Sequence, residues 1–455
     1  MTAYPASSQF VHRRRRGAEL VLVVLGLAVG IGAYAAVGLG VKGEVPTDIV
    51  RYSAWLAALA IGAHLVVRFI APYADPVLLP VAVALNGLGL AMIYRIDLAS
   101  NTDLSSKQLM WTTLGVILFV GVLVLLKDHR RLQAYTYTFG FVAIVLLLLP
   151  LVPGLGRNIN GARIWIGVGG FSFQPGEVAK VLLVIAFSGY LVLHRDALAL
   201  AGRRLAGIDF PRGRDLGPIL GMWLVSLGIL IFQRDLGSSL LFFGLFLVLL
   251  YVATERPGWL IVGAALFAGG SLLAYTFESH VKARVEGWLN PFGDTAAFGQ
   301  IVEGLYGMAY GGLVGRGLGQ GEPWRIPFAY SDFIFAAIGE ELGLTGVIAV
   351  LLLFGIIVER ALRTALICRD GFGKLMAAGL GVVFALQVFV VVGGVTRLIP
   401  LTGLTTPFMS YGGSSMVANW VVIGLLLRIS DQVRRPLPEV APLAADDATT
   451  VVKLR

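Results

Sequence analysis

Apolar residues fill runs of about 20 positions along the whole chain, and polar residues gather in the stretches between them. Each run is long enough to cross roughly 30 Å of hydrocarbon as a helix. The runs predict about twelve spans, near residues 18–40, 52–71, 77–95, 109–126, 135–153, 177–194, 216–232, 238–254, 259–276, 333–358, 375–395 and 411–429. The strict alternation of barrel strands is absent, and lipid admits only helices or closed barrels. The pattern therefore predicts an all-α polytopic membrane protein.

Composition strengthens this reading. The 455 residues are 57% hydrophobic and 14% charged, where a soluble protein would carry about 25% charged residues. The net charge of +9 could suggest nucleic acid, but its distribution points elsewhere. Arg13 to Arg16 precede the first run. If sides alternate from there, segments on the arginine side hold roughly twice the Lys and Arg of the opposite side, which is the positive-inside pattern. Both termini are then cytoplasmic, the charge is an orientation signal, and no nucleic-acid partner is expected. The first run exceeds a signal-peptide core, so an uncleaved span is expected. The single cysteine, Cys368, cannot form an internal disulfide, and no His/Cys cluster has zinc spacing along the chain. The expected organisation is a basic N-terminus (1–17), N-terminal transmembrane helices (18–153), a core with extracytoplasmic loops (154–430) and a disordered tail (431–455).

The unusual polar residues fall on the outer side. In AYSDFIFAAIGEELG (329–343), Asp332 stands before an apolar run that contains Glu340 and Glu341. Asp332 or Ser331 could cap the following helix. Asp332 could equally be a reactive carboxylate. Glu340 and Glu341 would lie about 12 Å deeper. There a charge is costly and faces a partner helix or a wet cavity. In QPGEVAK (174–180), Glu177 and Lys180 share one helix face. Lys180 is either half of an intramembrane ion pair or a point charge for phosphate, which Arg163 could join. Asp235 in QRDLGSS (233–239) could cap a helix. TPFMSYGGSS (406–415) is a Gly/Ser turn suited to phosphate, sugar or close packing.

Six stretches in order carry a resemblance: RIWIG with FQPGEVAK, QRDLGSS, NPFGD (290–294), GGLVGRGLGQG, SDFIFAAIGEELG and IPLTGLTTPFMSYGGSS. Together they resemble the SEDS family, the polytopic cell-wall synthases that include RodA, FtsW and SpoVE, over about residues 157–430. The last stretch, two extra N-terminal spans and the short tail are most like the actinobacterial RodA branch. Departures include Tyr330-Ser331 before the aspartate, Gly176 within QPGE and Arg234 within QRDLG.

The resemblance implies a peptidoglycan glycosyltransferase that polymerises lipid II, an undecaprenyl-pyrophosphate-linked disaccharide pentapeptide, during elongation. It implies a class B penicillin-binding protein transpeptidase as partner and a divalent cation, Mg or Mn, near the catalytic residue. The family's essential aspartate matches Asp332, and its cations match Arg163 and Lys180. Gln174, Glu177, Gln233, Asp235, Arg316, Arg397, Ser410 and Ser414 complete the expected substrate-binding set, with Glu340 and Glu341 as cavity carboxylates. The active site is expected on the outer face of the plasma membrane. A lipid II flippase, a division polymerase of the FtsW type and a scaffold for the transpeptidase are the alternatives. The flippase would need a charged path reaching both faces, whereas the unusual residues cluster on one.

Overall fold

The structure is a computed structural model that describes residues 14–159, 161–168, 171–195, 203–205, 208–210 and 213–436. The expected tail beyond Pro436 and most of the basic N-terminus lie outside the described residues. Fourteen α-helices are described. They are α1 (Arg16–Lys42), α2 (Ile49–Ile70), α3 (Leu78–Ser100), α4 (Leu104–Leu125), α5 (Thr136–Leu148), α6 (Pro175–Leu193), α7 (Gly213–Phe232), α8 (Leu236–Thr254), α9 (Gly258–Phe277), α10 (Ser279–Leu289), α11 (Thr295–Gly311), α12 (Ile334–Ile367), α13 (Gly371–Val395) and α14 (Gly413–Arg434). Eleven stretches are long and apolar enough to cross a membrane, α5 counting with its flanking 3-10 turns, and α7 adds the shorter apolar run Gly217–Phe232. Each expected span coincides with one of these helices.

Local chemistry sets several starts. Pro175 opens α6, where its missing N–H costs nothing. The Asp235, Asp294 and Asp370 carboxylates accept from the first free amides of α8, α11 and α13. The most enclosed helices are α3, α13 and α14. By contrast α9 exposes Leu260, Ile261, Leu266, Phe267, Leu272 and Leu273, an apolar face suited to lipid.

Glycines let α1 seat closely. A Cβ on Gly30 would lie 2.8 Å from Gly87 Cα of α3, and one on Gly26 would lie 2.9 Å from the Pro80 carbonyl. At the far end of α1, Gly40 meets Leu318 and Gly319, and its carbonyl accepts from Gln320 Nε2 at 2.7 Å.

The connections between helices carry more structure than their composition suggested. The strands β1 (Gly156–Ile159), β2 (Ala162–Val168) and β3 (Phe171–Phe173) form a small antiparallel sheet in that order, with Arg157 opposite Trp165 and Ile166 opposite Phe173. Residues 203–205 and 208–210 pair as a second, two-stranded ribbon, β4 and β5. The long connection 277–332, expected as one large loop, holds α10 and α11. The latter runs alongside the first turns of α12 in the same direction. Gly304 abuts Phe333 and Ala336, and Gly311 abuts Gly339 and Glu340. Within α12, Gly343 breaks the helix at φ +65°, ψ −168°, a conformation that glycine adopts without a Cβ clash.

Candidate active site

The N-terminal end of α12 places Asp332. Helix α12 begins at Ile334, and its capping residue, Phe333, makes no side-chain cap bond. Asp332 is therefore not spent as the cap, which corrects the capping alternative. Its carboxyl is partly buried. Burial pushes its pKa up to about 6, against the opposing pull of its own backbone amide, the Arg284 guanidinium and Gln300. Arg284 comes from α10 and Gln300 from α11. Burial pushes the Arg284 guanidinium down, and Asp332 offsets part of that. Burial, then the Asp332 charge, raises the Tyr330 hydroxyl.

A single loop, residues 396–412, connects this carboxylate to the buried cation. The Tyr411 amide donates to the Tyr330 carbonyl at 2.7 Å. Ser410 Oγ donates to the Ser331 carbonyl at 2.5 Å and accepts from the Thr406 amide at 2.8 Å. Gln108 of α4 clasps the same turn, donating to the Ser410 carbonyl and accepting from the Gly412 amide. Six residues earlier in the loop, the Thr405 carbonyl accepts from Gln387 Nε2 at 2.8 Å. Gln387 Oε1 in turn accepts from Lys180 Nζ at 2.8 Å, and Lys180 bonds Glu177 at 2.5 Å. Lys180 is 2% exposed. The i,i+3 pair expected from QPGEVAK is thus present. Ser414 Oγ accepts from the Gln174 amide at 2.7 Å, which ties the start of α14 to the start of α6.

Other expected site residues are engaged elsewhere. Asp235 is the helix cap, accepting from the Ser238 amide at 2.9 Å through one carboxylate oxygen. Gln233 is buried, its side chain donating to the Leu147 carbonyl and its backbone carbonyl accepting from the Arg163 amide. The Arg163 side chain is exposed on β2. Arg397 is exposed at φ +62°, and its carbonyl accepts from Trp288 Nε1.

Glu340 and Glu341 hold the glycine-rich chain 312–322. Glu341 pairs with Arg95 of α3 at 2.7 Å and accepts from the Gly319 amide at 3.0 Å. Glu340 accepts from the Glu322 amide at 2.8 Å and sits 3.6 Å from Arg316, which covers the Tyr310 ring. Glu340 and Arg316 also line a polar cavity of about 310 Å³ with Glu303, Tyr306, Tyr310 and Arg325. Glu341 is not among its lining residues, so only the first of the two expected cavity carboxylates reaches it.

Among the described residues, no group of three His, Cys, Asp or Glu ligand atoms gathers at Asp332. Its charged neighbour is Arg284. Among the described residues, the group of His, Cys, Asp and Glu with metal-ligand spacing is His129, Cys368 and Asp370, at the other end of the bundle. The sequence reading also missed Arg284, Gln300, Gln387, Gln108 and Arg95. For Gln300 a signal existed, because Asp294 before a small-residue run marks the start of a helix.

Fold and site together define a multi-span helical membrane protein with a carboxylate and a buried ammonium joined by the loop 396–412. The profile of the cell cycle protein family FtsW/RodA/SpoVE matches residues 76–435, and the chain belongs to this family. It is 49% identical to the peptidoglycan glycosyltransferase RodA of Mycobacterium tuberculosis, over 93% of this chain and 92% of that one. Among solved structures, it is similar to a chain of a peptidoglycan synthase complex that coordinates polymerization and crosslinking. That likeness has a TM-score of 0.56 and 28% identity over 84% of this chain and 96% of the other. It is also similar to a mutant of the rod shape determining protein RodA of Thermus thermophilus. There the TM-score is 0.56 and the identity 27%, over 78% and 97% of the two chains.

Proposed function

We propose that the protein is a peptidoglycan glycosyltransferase that joins lipid II disaccharide units into glycan strands on the outer face of the plasma membrane. The observation that carries the mechanism is Asp332: a partly buried carboxylate that caps no helix, whose pKa burial raises to about 6, at the end of the bundle opposite the described chain ends. It acts as general base. The acceptor hydroxyl oxygen bonds to the donor's anomeric carbon, its proton passes to Asp332, and the bond from that carbon to the lipid pyrophosphate breaks. Proton transfer from a positioned base is worth roughly 10²–10⁴-fold. Lys180 is the buried cation best placed to meet the departing pyrophosphate. Its link through Gln387 and Thr405 to the 396–412 loop, which fastens Tyr330 and Ser331 beside Asp332, supports this role. The exposed Arg163 contributes as a loop cation from β2. Among the described residues no three-ligand set surrounds Asp332, and no step is routed through a metal.

The partner in this reading is a class B penicillin-binding protein, supported by the similarity to the solved synthase complex. In this reading the described chain ends, at Arg14 and Pro436, face the cytoplasm, and Asp332 stands at the opposite end of the bundle. The test is glycan-chain formation from pure lipid II by the purified chain with its cognate transpeptidase, wild type against Asp332→Ala. Product from the wild type and none from a folded variant supports polymerase and base together. Product from both retains the enzyme and removes Asp332 as base. No product from either, with the complex intact, overturns the reading in favour of a transporter or scaffold.

A further inference from the structure

At the end of the bundle that carries the described termini, three segments distant in sequence converge. His129 starts the 3-10 turn before α5, Cys368 ends α12, and Asp370 caps α13. One ligand atom from each lies within 4.8 Å of the others. His129 Nε2 is 3.1 Å from Asp370 Oδ2, and Cys368 Sγ is 3.2 Å from the same oxygen. A tetrahedral zinc ion with bonds of about 2.0–2.3 Å needs its ligand atoms roughly 3.3–3.8 Å apart. Small side-chain adjustments bridge that difference.

The hydrogen bonds behind the cluster set its chemistry. Gln432 Nε2 donates to the Lys127 carbonyl at 2.6 Å, so Gln432 Oε1 is the acceptor that faces His129 Nδ1. The proton therefore sits on Nδ1. Nε2 is left to aim a lone pair at the carboxylate and thiol, unless a further proton or a cation lies between them. Metal-binding imidazoles are oriented in this way, with the second ring N–H donated to a fixed acceptor. Asp370 Oδ1 is occupied by the Gly373 amide at 2.6 Å, which leaves Oδ2 for the cluster. His129 is enclosed, and Phe372 stacks near its ring. The Asp370 side chain is 21% exposed and opens a route from solvent.

We infer that His129, Cys368 and Asp370 form a zinc(II) site with one open position for water. Thiolate, imidazole and carboxylate together suit borderline-soft zinc and exclude magnesium or calcium. The two anionic ligands neutralise the ion. On binding, the thiol proton, and any proton on Nε2, leaves to solvent as the Zn–S and Zn–N bonds form. Two further charges face the site. The Arg130 guanidinium, 3.6 Å from Asp370 Oδ2, is 62% exposed and free to swing outward. The Asp128 carboxylate lies 3.8 Å from His129 Nδ1 and favours a cation. This site is separate from the Asp332 chemistry. Its effect is to pin the α4–α5 and α12–α13 connections to one another.

The experiment uses the full chain in detergent, stripped with chelator, exposed to zinc alone or cobalt(II) alone, then desalted. Wild type should retain about one zinc per chain, and Cys368→Ser and His129→Gln should each retain roughly tenfold less. The cobalt form should show a thiolate-to-cobalt charge-transfer band in wild type that Cys368→Ser lacks. Cys368→Ser keeps a hydroxyl for the Asp370 contact, so its folding is preserved and checked by gel filtration. If either variant fails to fold, the cobalt spectrum of the wild type decides. No retained zinc and no cobalt–thiolate band in the wild type overturns the site. Equal zinc in all three proteins also overturns it, marking an adventitious ion only.

Discussion

Tyr411 donates its amide to the carbonyl of Tyr330 at 2.7 Å, two residues before Asp332, and the two rings meet edge to face with centroids 6.0 Å apart. The segment before Asp332 and the 396–412 loop are therefore fastened to each other. Ser410 fastens the same junction through its hydroxyl. Ser410→Ala removes two bonds there and should lower polymerisation several-fold, with the fold intact. Ser410→Thr, which keeps the hydroxyl, should retain most of the rate. A glycan-synthesis assay beside a thermal melt separates a positioning loss from unfolding.

Asp332 is expected to impose a pH limit. As base it must be ionised, so the lipid II polymerisation rate should rise through about pH 6 and level off above it. Arg284 and Gln300 hold that midpoint down. Arg284→Gln should therefore move it upward and leave activity weaker at neutral pH. A midpoint that stays fixed in Arg284→Gln would show that another group sets the profile.

The same shift affects stability. The folded carboxyl is harder to ionise than the unfolded one, so the favourable contribution of protonated Asp332 is fully present below the ordinary carboxylate range. It is lost as pH rises toward about 6. Asp332→Asn should thus melt at or above the wild-type temperature at pH 7 while losing glycan synthesis. A variant that melts well below wild type would contradict this arrangement.

Lys180 can be separated from its ion pair. Removing one partner of a buried pair typically costs about 3–5 kcal/mol, whereas replacing both is often close to neutral. Lys180→Met should destabilise the protein strongly. Lys180→Met with Glu177→Leu should recover much of that stability. If Lys180 meets pyrophosphate, the double variant remains inactive. Recovery of synthesis together with stability would reduce Lys180 to packing.

The Arg95–Glu341 pair predicts a purely structural loss. Arg95 also donates to the Gly321 carbonyl at 2.6 Å. Arg95→Met should leave Glu341 buried and uncompensated, costing about 3–5 kcal/mol. Limited proteolysis should then detect loosening of the 312–322 chain.

The helices were legible because spanning lipid imposes length and uniform hydrophobicity, which a sequence cannot hide. Local pairs were legible too. Glu177 and Lys180 sit one turn apart, and the Asp235 cap lies beside its own helix. What escaped was made by distant chain. Lys180 and Gln387 are 207 positions apart, and Arg95 and Glu341 are 246 apart. No periodicity links such residues. The helices α10 and α11 escaped because glycine and polar residues in 277–332 read as loop, although packing against α12 makes α11 helical. Zinc spacing was sought along the chain, whereas His129 and Asp370 meet across 241 positions.

The glycine seat of α1 has a consequence for how the protein is made. The first helix finds Gly87 on α3 soon after synthesis begins, but its far end rests on Leu318, Gly319 and Gln320, which the ribosome delivers some 280 positions later. Helices form and enter the bilayer in chain order. The oldest segment of the nascent protein therefore waits, half-docked, until about two thirds of the chain has been made, with three spanning helices still to follow.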